Sequence, residues 1–195
     1  MAQGISLIVG LGNPGPEYAE TRHNAGFRFL DAVLRGGGSL RHEARFSADV
    51  GRCVVDGKEV WLLAPQTFMN RSGESVSTFA HYYKIPPTEI LVAHDEIDLP
   101  PGTVRLKVGG GSGGHNGLSD VTEKLSSPDY ARLRIGVGHP GSVAQVVNYV
   151  LRKSTADEQT LIDQAIERGR QHLSEIVQGQ FQKVMNTLHV NDPAK

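Results

Sequence analysis

The stretch "LIVGLGNPG", Leu7 to Gly15, runs apolar, strand-forming residues straight into Gly10, Gly12 and Gly15. That spacing is G-x-G-x-x-G, the pattern that seats a dinucleotide pyrophosphate when a helix opens within the glycines and an acidic residue ends the next strand about 20 positions on. Neither condition holds. Pro14 and Pro16 interrupt the turn, Glu17 would set a carboxylate beside the phosphates, and Asp31 falls within a helical stripe instead of ending a strand. The stretch reads as a buried strand and a tight turn whose glycines supply backbone freedom. Asn13 sits in the middle of it, and it either bonds its own backbone, as turn asparagines do, or serves a site.

Outward from this turn, strands alternate with helices. "NAGFRFLDAVLR" places Phe29, Leu30, Val33 and Leu34 at helical spacing before three glycines end it. "FSADVGRCVV" and "EVWLLA" are β-rich runs joined through Asp56, Gly57 and Lys58, which predicts a hairpin. "SGESVSTFAHYY" aligns Val76, Phe79, Ala80 and Tyr83 on one helical face, and "EILVA" is the continuous apolar run of a central strand covered on both sides. "TVRLKV" and "ARLRIGV" alternate apolar residues with Arg105, Lys107, Arg132 and Arg134, predicting two half-buried strands. Thr155 and Glu158 form a capping box ahead of one long helix bearing Ile162, Ala165, Ile166, Leu173, Ile176 and Val177. A shorter stripe, Phe181, Val184, Met185 and Leu188, follows. The expectation is a single three-layer α/β/α domain with a mixed, largely parallel sheet over residues 1–190, and a flexible tail at 191–195.

Composition narrows the function classes. With 20 Lys and Arg against 21 Asp and Glu, global charge selects no partner, so any phosphate binding must come from local patches. One cysteine, Cys53, precludes an internal disulfide framework. No apolar run approaches a membrane span and "MAQG" lacks a basic leader, so a cytoplasmic protein without a membrane partner is expected.

Several residues stand at predicted strand ends, where open α/β sheets hold their binding crevice: Asn13, Asn70 after "WLLAPQTFM", and His94 with Asp95 after "EILVA". His23, in "TRHNAG" between the turn and the first helix, reads either as a cap or as a functional residue, and Asp95 likewise as a turn cap or a site carboxylate. "GGSGG", Gly110 to Gly114, matches G-x-S-x-G, which makes Ser112 a candidate serine nucleophile with Asp129 and His139 as downstream partners. The helix "LSDVTEKL" begins at the end of these glycines and could offer its amides to an anion. The histidines show no metal-ligand spacing, so no metal is expected. Arg105, Lys107, Arg132 and Arg134 read either as solvated strand faces or as a phosphate clamp beside the glycine loop.

Together, "GLGNPGPEYAETRHNAG", "PQTFMNRSG", "AHDEIDLPPG", "GGGSGGHNG" and "RLRIGVGHPG" closely resemble bacterial peptidyl-tRNA hydrolases, across about residues 5–151 with a weaker similarity beyond. The resemblance implies a phosphorylase/hydrolase-like fold, no cofactor, a monomer, and hydrolysis of the ester between a peptide and the 3′ ribose of tRNA. It implies His23 as general base, Asp95 as the carboxylate that orients it, and Asn13, Asn70 and Asn116 as amides that hold substrate, water and oxyanion. Tyr18, Phe68, Met69 and His115 would line the site, and Lys107 with Arg134 would clamp the tRNA 5′ phosphate. Two places depart from the pattern. Residues 142–145 read "SVAQ" where many members carry a cation, and position 112 is Ser where some have His. A Ser112 hydrolase and a non-catalytic RNA-binding module are the alternatives.

Overall fold

The computed structural model describes residues 4–190, and the tail expected at 191–195 lies outside the described residues. β1 (Leu7–Gly10) runs through the middle of a seven-stranded sheet, parallel to β4 (Lys58–Pro65) on one side and β5 (Ile90–Glu96) on the other. β7 (Ala131–Gly136) continues the parallel core beyond β5. Antiparallel strands finish both edges: β3 (Ala48–Val55) and β2 (Arg41–Glu43) beyond β4, and β6 (Val104–Val108) beyond β7. This is the mixed sheet expected from the sequence.

Both faces of the sheet are covered, which is why its central strands are apolar without interruption. In β5, Leu91 and Ala93 join one core with α1 (Ala25–Leu34), α5 (Ala156–Gln171), α6 (Leu173–Val177) and α7 (Phe181–Val190). Ile90 and Val92 join the other with α2 (Ser72–Tyr82) and α3 (Asn116–Leu125). The α5 cap forms as its pattern predicts, with the Glu158 amide donating to Thr155 Oγ1 at 3.2 Å. The single long helix does not: it breaks at His172, while its apolar stripe stays buried across the break. The β3–β4 hairpin closes on Asp56 and Gly57 alone, both with positive φ, and Lys58 already pairs with Val55. No helix among the described residues is long and apolar enough to cross a membrane.

Two expectations change in ways that bear on the site. β5 extends to Glu96, so His94 and Asp95 are strand residues, both buried. β7 is an interior strand, and Arg132, read as part of either a solvated face or a phosphate clamp, is 2% exposed. The glycines of the opening turn also act differently from expectation. Only Gly15 needs a positive φ. A Cβ on Gly10 would lie 2.3 Å from the Gly26 carbonyl, and one on Gly12 would lie 2.6 Å from the Phe27 ring, so these two let α1 press against the strand end.

Candidate active site

At the carboxyl edge of β1 and β5 the chain forms a cleft of about 370 Å³. Its chemistry begins with a three-residue 3-10 turn, Arg22–Asn24, set between β1 and α1. Such a turn has three residues per revolution, so neighbours leave it in three directions. His23 points to Asp95, with Nδ1 2.8 Å from Oδ2. Asn24 turns inward, where its Oδ1 accepts from the Asn13 amide at 2.8 Å and its Nδ2 donates to the Asn13 carbonyl at 3.0 Å.

Asp95 is shared. His115 Nε2 lies 2.8 Å from Asp95 Oδ1, while His115 Nδ1 accepts from the Gly117 and Leu118 amides at the start of α3. A nitrogen that accepts two amide protons carries none of its own, so the His115 proton is on Nε2 and donates to the carboxylate. His23 likewise donates from Nδ1, which leaves its Nε2 with a lone pair on a residue lining the cleft. Burial works against a charged His23, but the Asp95 charge and hydrogen bond outweigh it and raise the imidazole above its ordinary value of 6.5. Burial alone would raise the Asp95 carboxyl, yet its two imidazole partners hold it well below the usual carboxylate range. Burial pushes the neighbouring His94 down to about 3, with His115 adding to the effect, and its Nδ1 donates to the Asp95 carbonyl at 2.8 Å.

His23, Asp95 and His115 have the composition of a metal site and their ligand atoms cluster. The protons on His23 Nδ1 and His115 Nε2 occupy the positions where a metal would need lone pairs, and the α3 amides fix the second of them. The same amides, expected to be open to an anion, are taken by His115.

Asn13 is 6% exposed, and its Oδ1 accepts from the Met69 amide at 2.7 Å. That bond fixes the amide's orientation and leaves Nδ2, a donor only, toward the cleft. Asn70 and Asn116 stand exposed on the rim, and Tyr18, Phe68 and Met69 complete the lining near them. The lining also includes a short helix that the sequence reading missed, α4 (Val146–Val150), contributing Val146, Val147, Val150 and, just beyond it, Leu151. Five residues are too few to establish a period, so no local signal marked it. Asn24 was missed too, although it lies beside His23 in the same motif.

Lys107 and Arg134 do not join the cleft. They line a neighbouring cavity of about 270 Å³ with Ser112, Glu96 and Asp98. Lys107 is exposed on edge strand β6, whereas Arg134 Nε donates to Glu96 at 2.9 Å. Arg132 is not part of a surface clamp: its guanidinium donates to the Gly110 and Gly111 carbonyls, both at 2.6 Å, and anchors the glycine loop. Ser112 has no triad available from the expected partners. Asp129 and His139 flank opposite ends of β7, a six-residue strand about 20 Å long, so they cannot converge on one hydroxyl.

The family model described as peptidyl-tRNA hydrolase matches residues 7–195. The chain is 51% identical over 188 residues to a peptidyl-tRNA hydrolase of Marinomonas sp. (strain MWYL1), covering 95% of this chain and 97% of that protein. The crystal structure of peptidyl-tRNA hydrolase from Acinetobacter baumannii superposes with a TM-score of 0.95 at 48% identity, over 99% of this chain and 98% of that one. A peptidyl-tRNA hydrolase solved in complex with N-propanol gives a TM-score of 0.94 at 49% identity, over 97% and 96% of the two chains.

Proposed function

The chain belongs to the peptidyl-tRNA hydrolase family, enzymes that hydrolyse peptidyl-tRNA, and on that premise we propose that His23 is the general base for the reaction. The observation that carries this reading is the His23 Nδ1–Asp95 Oδ2 contact of 2.8 Å, which leaves Nε2 as the free basic nitrogen in the cleft. Nε2 takes a proton from water as the water oxygen attacks the ester carbonyl, and the imidazolium that forms is stabilised by Asp95. The tetrahedral intermediate expels the 3′ oxygen of the ribose, which takes back the proton from His23. Free tRNA and the peptide carboxylate result, with no cofactor in the balance.

Asn13 Nδ2 donates to a carbonyl oxygen of the peptide or to the developing oxyanion, and Asn70 and Asn116 approach from the rim. The fixed polarity of Asn13 also supports discrimination. A blocked aminoacyl group presents a carbonyl to this donor, whereas a free aminoacyl ester presents an ammonium, a second donor that it cannot pair. Phe68, 60% exposed, is placed to stack on the terminal adenosine. Lys107 and Arg134 take the tRNA phosphate in the adjoining cavity. The cleft is complete within one chain, which supports action as a monomer, and the cytoplasm, where tRNA is used, is the proposed setting.

Release of N-acetyl-aminoacyl groups from tRNA tests the base directly. His23→Ala should lower kcat by about 10²- to 10⁴-fold, and chelator should leave the wild type unaffected. Full activity in His23→Ala would overturn the assignment.

A further inference from the structure

α4 forms one wall of the cleft, yet little of its own sequence holds it there. From Pro140 to Leu151 the chain has no charged side chain, Val150 is the one buried residue of α4, and Val147 is 61% exposed. A helix of five residues is not stable by itself in water, so its place must be set by what it touches.

What it touches is the turn that carries His23. Arg22, on the same turn, is not among the residues lining the cleft and is 7% exposed. Its guanidinium carbon sits 3.8 Å over the centre of the Tyr149 ring, and Nη1 donates to the Tyr149 carbonyl at 2.9 Å. The Arg22 amide donates to the Arg152 carbonyl at 3.0 Å, and Thr21 bridges to Lys153. The Tyr149 hydroxyl in turn donates to the Val137 carbonyl, just past the end of β7, at 2.7 Å. Tyr149 is therefore gripped between the base-bearing turn and the sheet. Among the described residues Arg22 pairs with Glu158, with Nη2 and Oε2 3.8 Å apart, too long for a hydrogen bond. A buried arginine with so loose a counter-ion is held chiefly by the ring and the carbonyl of α4.

We propose that Arg22 is a positioning residue that fastens the α4 wall to the turn bearing the base, so that the apolar wall and His23 meet the peptide end of the substrate in one fixed arrangement. This rests on the reading of His23 as the base. Arg22 touches neither Asp95 nor the cleft, so its effect passes through α4. Loss of the grip lets Val146, Val147 and Leu151 drift from the substrate while the His23–Asp95 pair stays intact. Binding of the blocked aminoacyl group weakens, and the protonation of the base does not change.

The test uses Arg22→Ala, Tyr149→Ala, the double variant and Arg22→Lys, with N-acetyl-aminoacyl-tRNA as substrate. Each alanine variant should raise KM about tenfold with a smaller change in kcat. The double variant should lose clearly less than the sum of the two single effects, because both remove the contact between the guanidinium and the ring. The acid midpoint of the kcat/KM profile should match the wild type. Arg22→Lys should recover part of the loss, since an ammonium can sit over the ring but cannot copy the planar fork. An unchanged KM in the folded variants, additive effects in the double variant, or a moved midpoint would each overturn the proposal. If Arg22→Ala does not fold, Tyr149→Ala decides by the same KM criterion, because its side chain is only half-buried. His23→Ala, measured alongside, separates the two claims: full activity there removes the base, whereas an unchanged KM in Tyr149→Ala removes only the α4 grip.

Discussion

The cleft and the basic cavity beside it share the glycine loop and the end of β5, yet they are built in opposite ways. In the cleft the groups around His23 and Asn13 are tied down: Asp95 to two imidazoles, His115 to two amides, Asn13 to Met69 and Asn24. In the cavity Lys107 projects from an edge strand, and Arg134 is shared with Glu96. The difference fits the two roles proposed for them. Moving a proton requires donors and acceptors fixed within a few tenths of an ångström before substrate arrives, whereas a phosphate is attracted by charge over a longer range and tolerates loose placement. Substitutions in the cleft should therefore be costly and specific, and those in the cavity mild and dependent on salt.

Asp95→Asn should break the cleft most severely. His115 must still donate from Nε2, since the α3 amides hold its other nitrogen, so the asparagine oxygen turns to His115 and its NH₂ faces His23. His23 then accepts at Nδ1 and carries its proton on Nε2, the wrong tautomer for a base, and kcat should fall by about 10³- to 10⁴-fold. The pH profile gives a second reading. In the wild type the neutral base appears as pH rises through a value above 6.5, because Asp95 outweighs burial. Without the Asp95 charge only burial remains, so the acid limb of the residual kcat/KM should move below 6.5. The same shift enters stability. The His23 contribution is fully present below 6.5 and is lost as pH rises through the raised value, so the wild-type advantage over Asp95→Asn from this group should shrink across that window in denaturant titrations.

Asn13 comes next. Asn13→Ala leaves the buried Met69 amide unpaired and removes the cleft donor, so it should lose about 1–3 kcal/mol of stability and about 10²- to 10³-fold in kcat. Asn13→Asp keeps an acceptor for Met69 but presents an acceptor to the cleft. Its thermal midpoint should stay nearer the wild type, and its preference for blocked over free aminoacyl-tRNA should collapse. An undiminished preference would show that Asn13 polarity does not set the discrimination.

The cavity should respond more gently. Lys107→Ala should weaken tRNA binding alike for all tRNAs and reduce the slope of log K against log salt by about one. The smallest effect is expected from Glu96→Gln, which releases Arg134 and should tighten binding about two- to threefold at low salt. Weaker binding in Glu96→Gln would mean that Glu96 positions Arg134 instead of competing for it.

Every strand but the three-residue β2, most of the helices, the hairpin and the α5 cap were legible in the sequence, because periodicity and local turn chemistry are properties of neighbouring residues. His23, Asp95 and Asn13 were legible as candidates for the same reason, each standing out as polar beside an apolar strand or in a structured turn. α4 was not, since a five-residue helix has too little length to establish a period.

By itself, then, the sequence determined which residues could do chemistry and the layers that bring them to one edge of a sheet. Only the tertiary structure decided which atom of each is left open to the cleft. The Met69 amide, 56 residues from Asn13, fixes which end of that amide faces the cleft, and the α3 amides fix the proton on His115. Arg132 and Arg134, identical in the alternating pattern, separate into a buried loop anchor and a partner of Glu96. Hydrogen bonds have direction, and their partners are set by strand register and helix placement across long stretches of chain, which no local pattern of residues encodes.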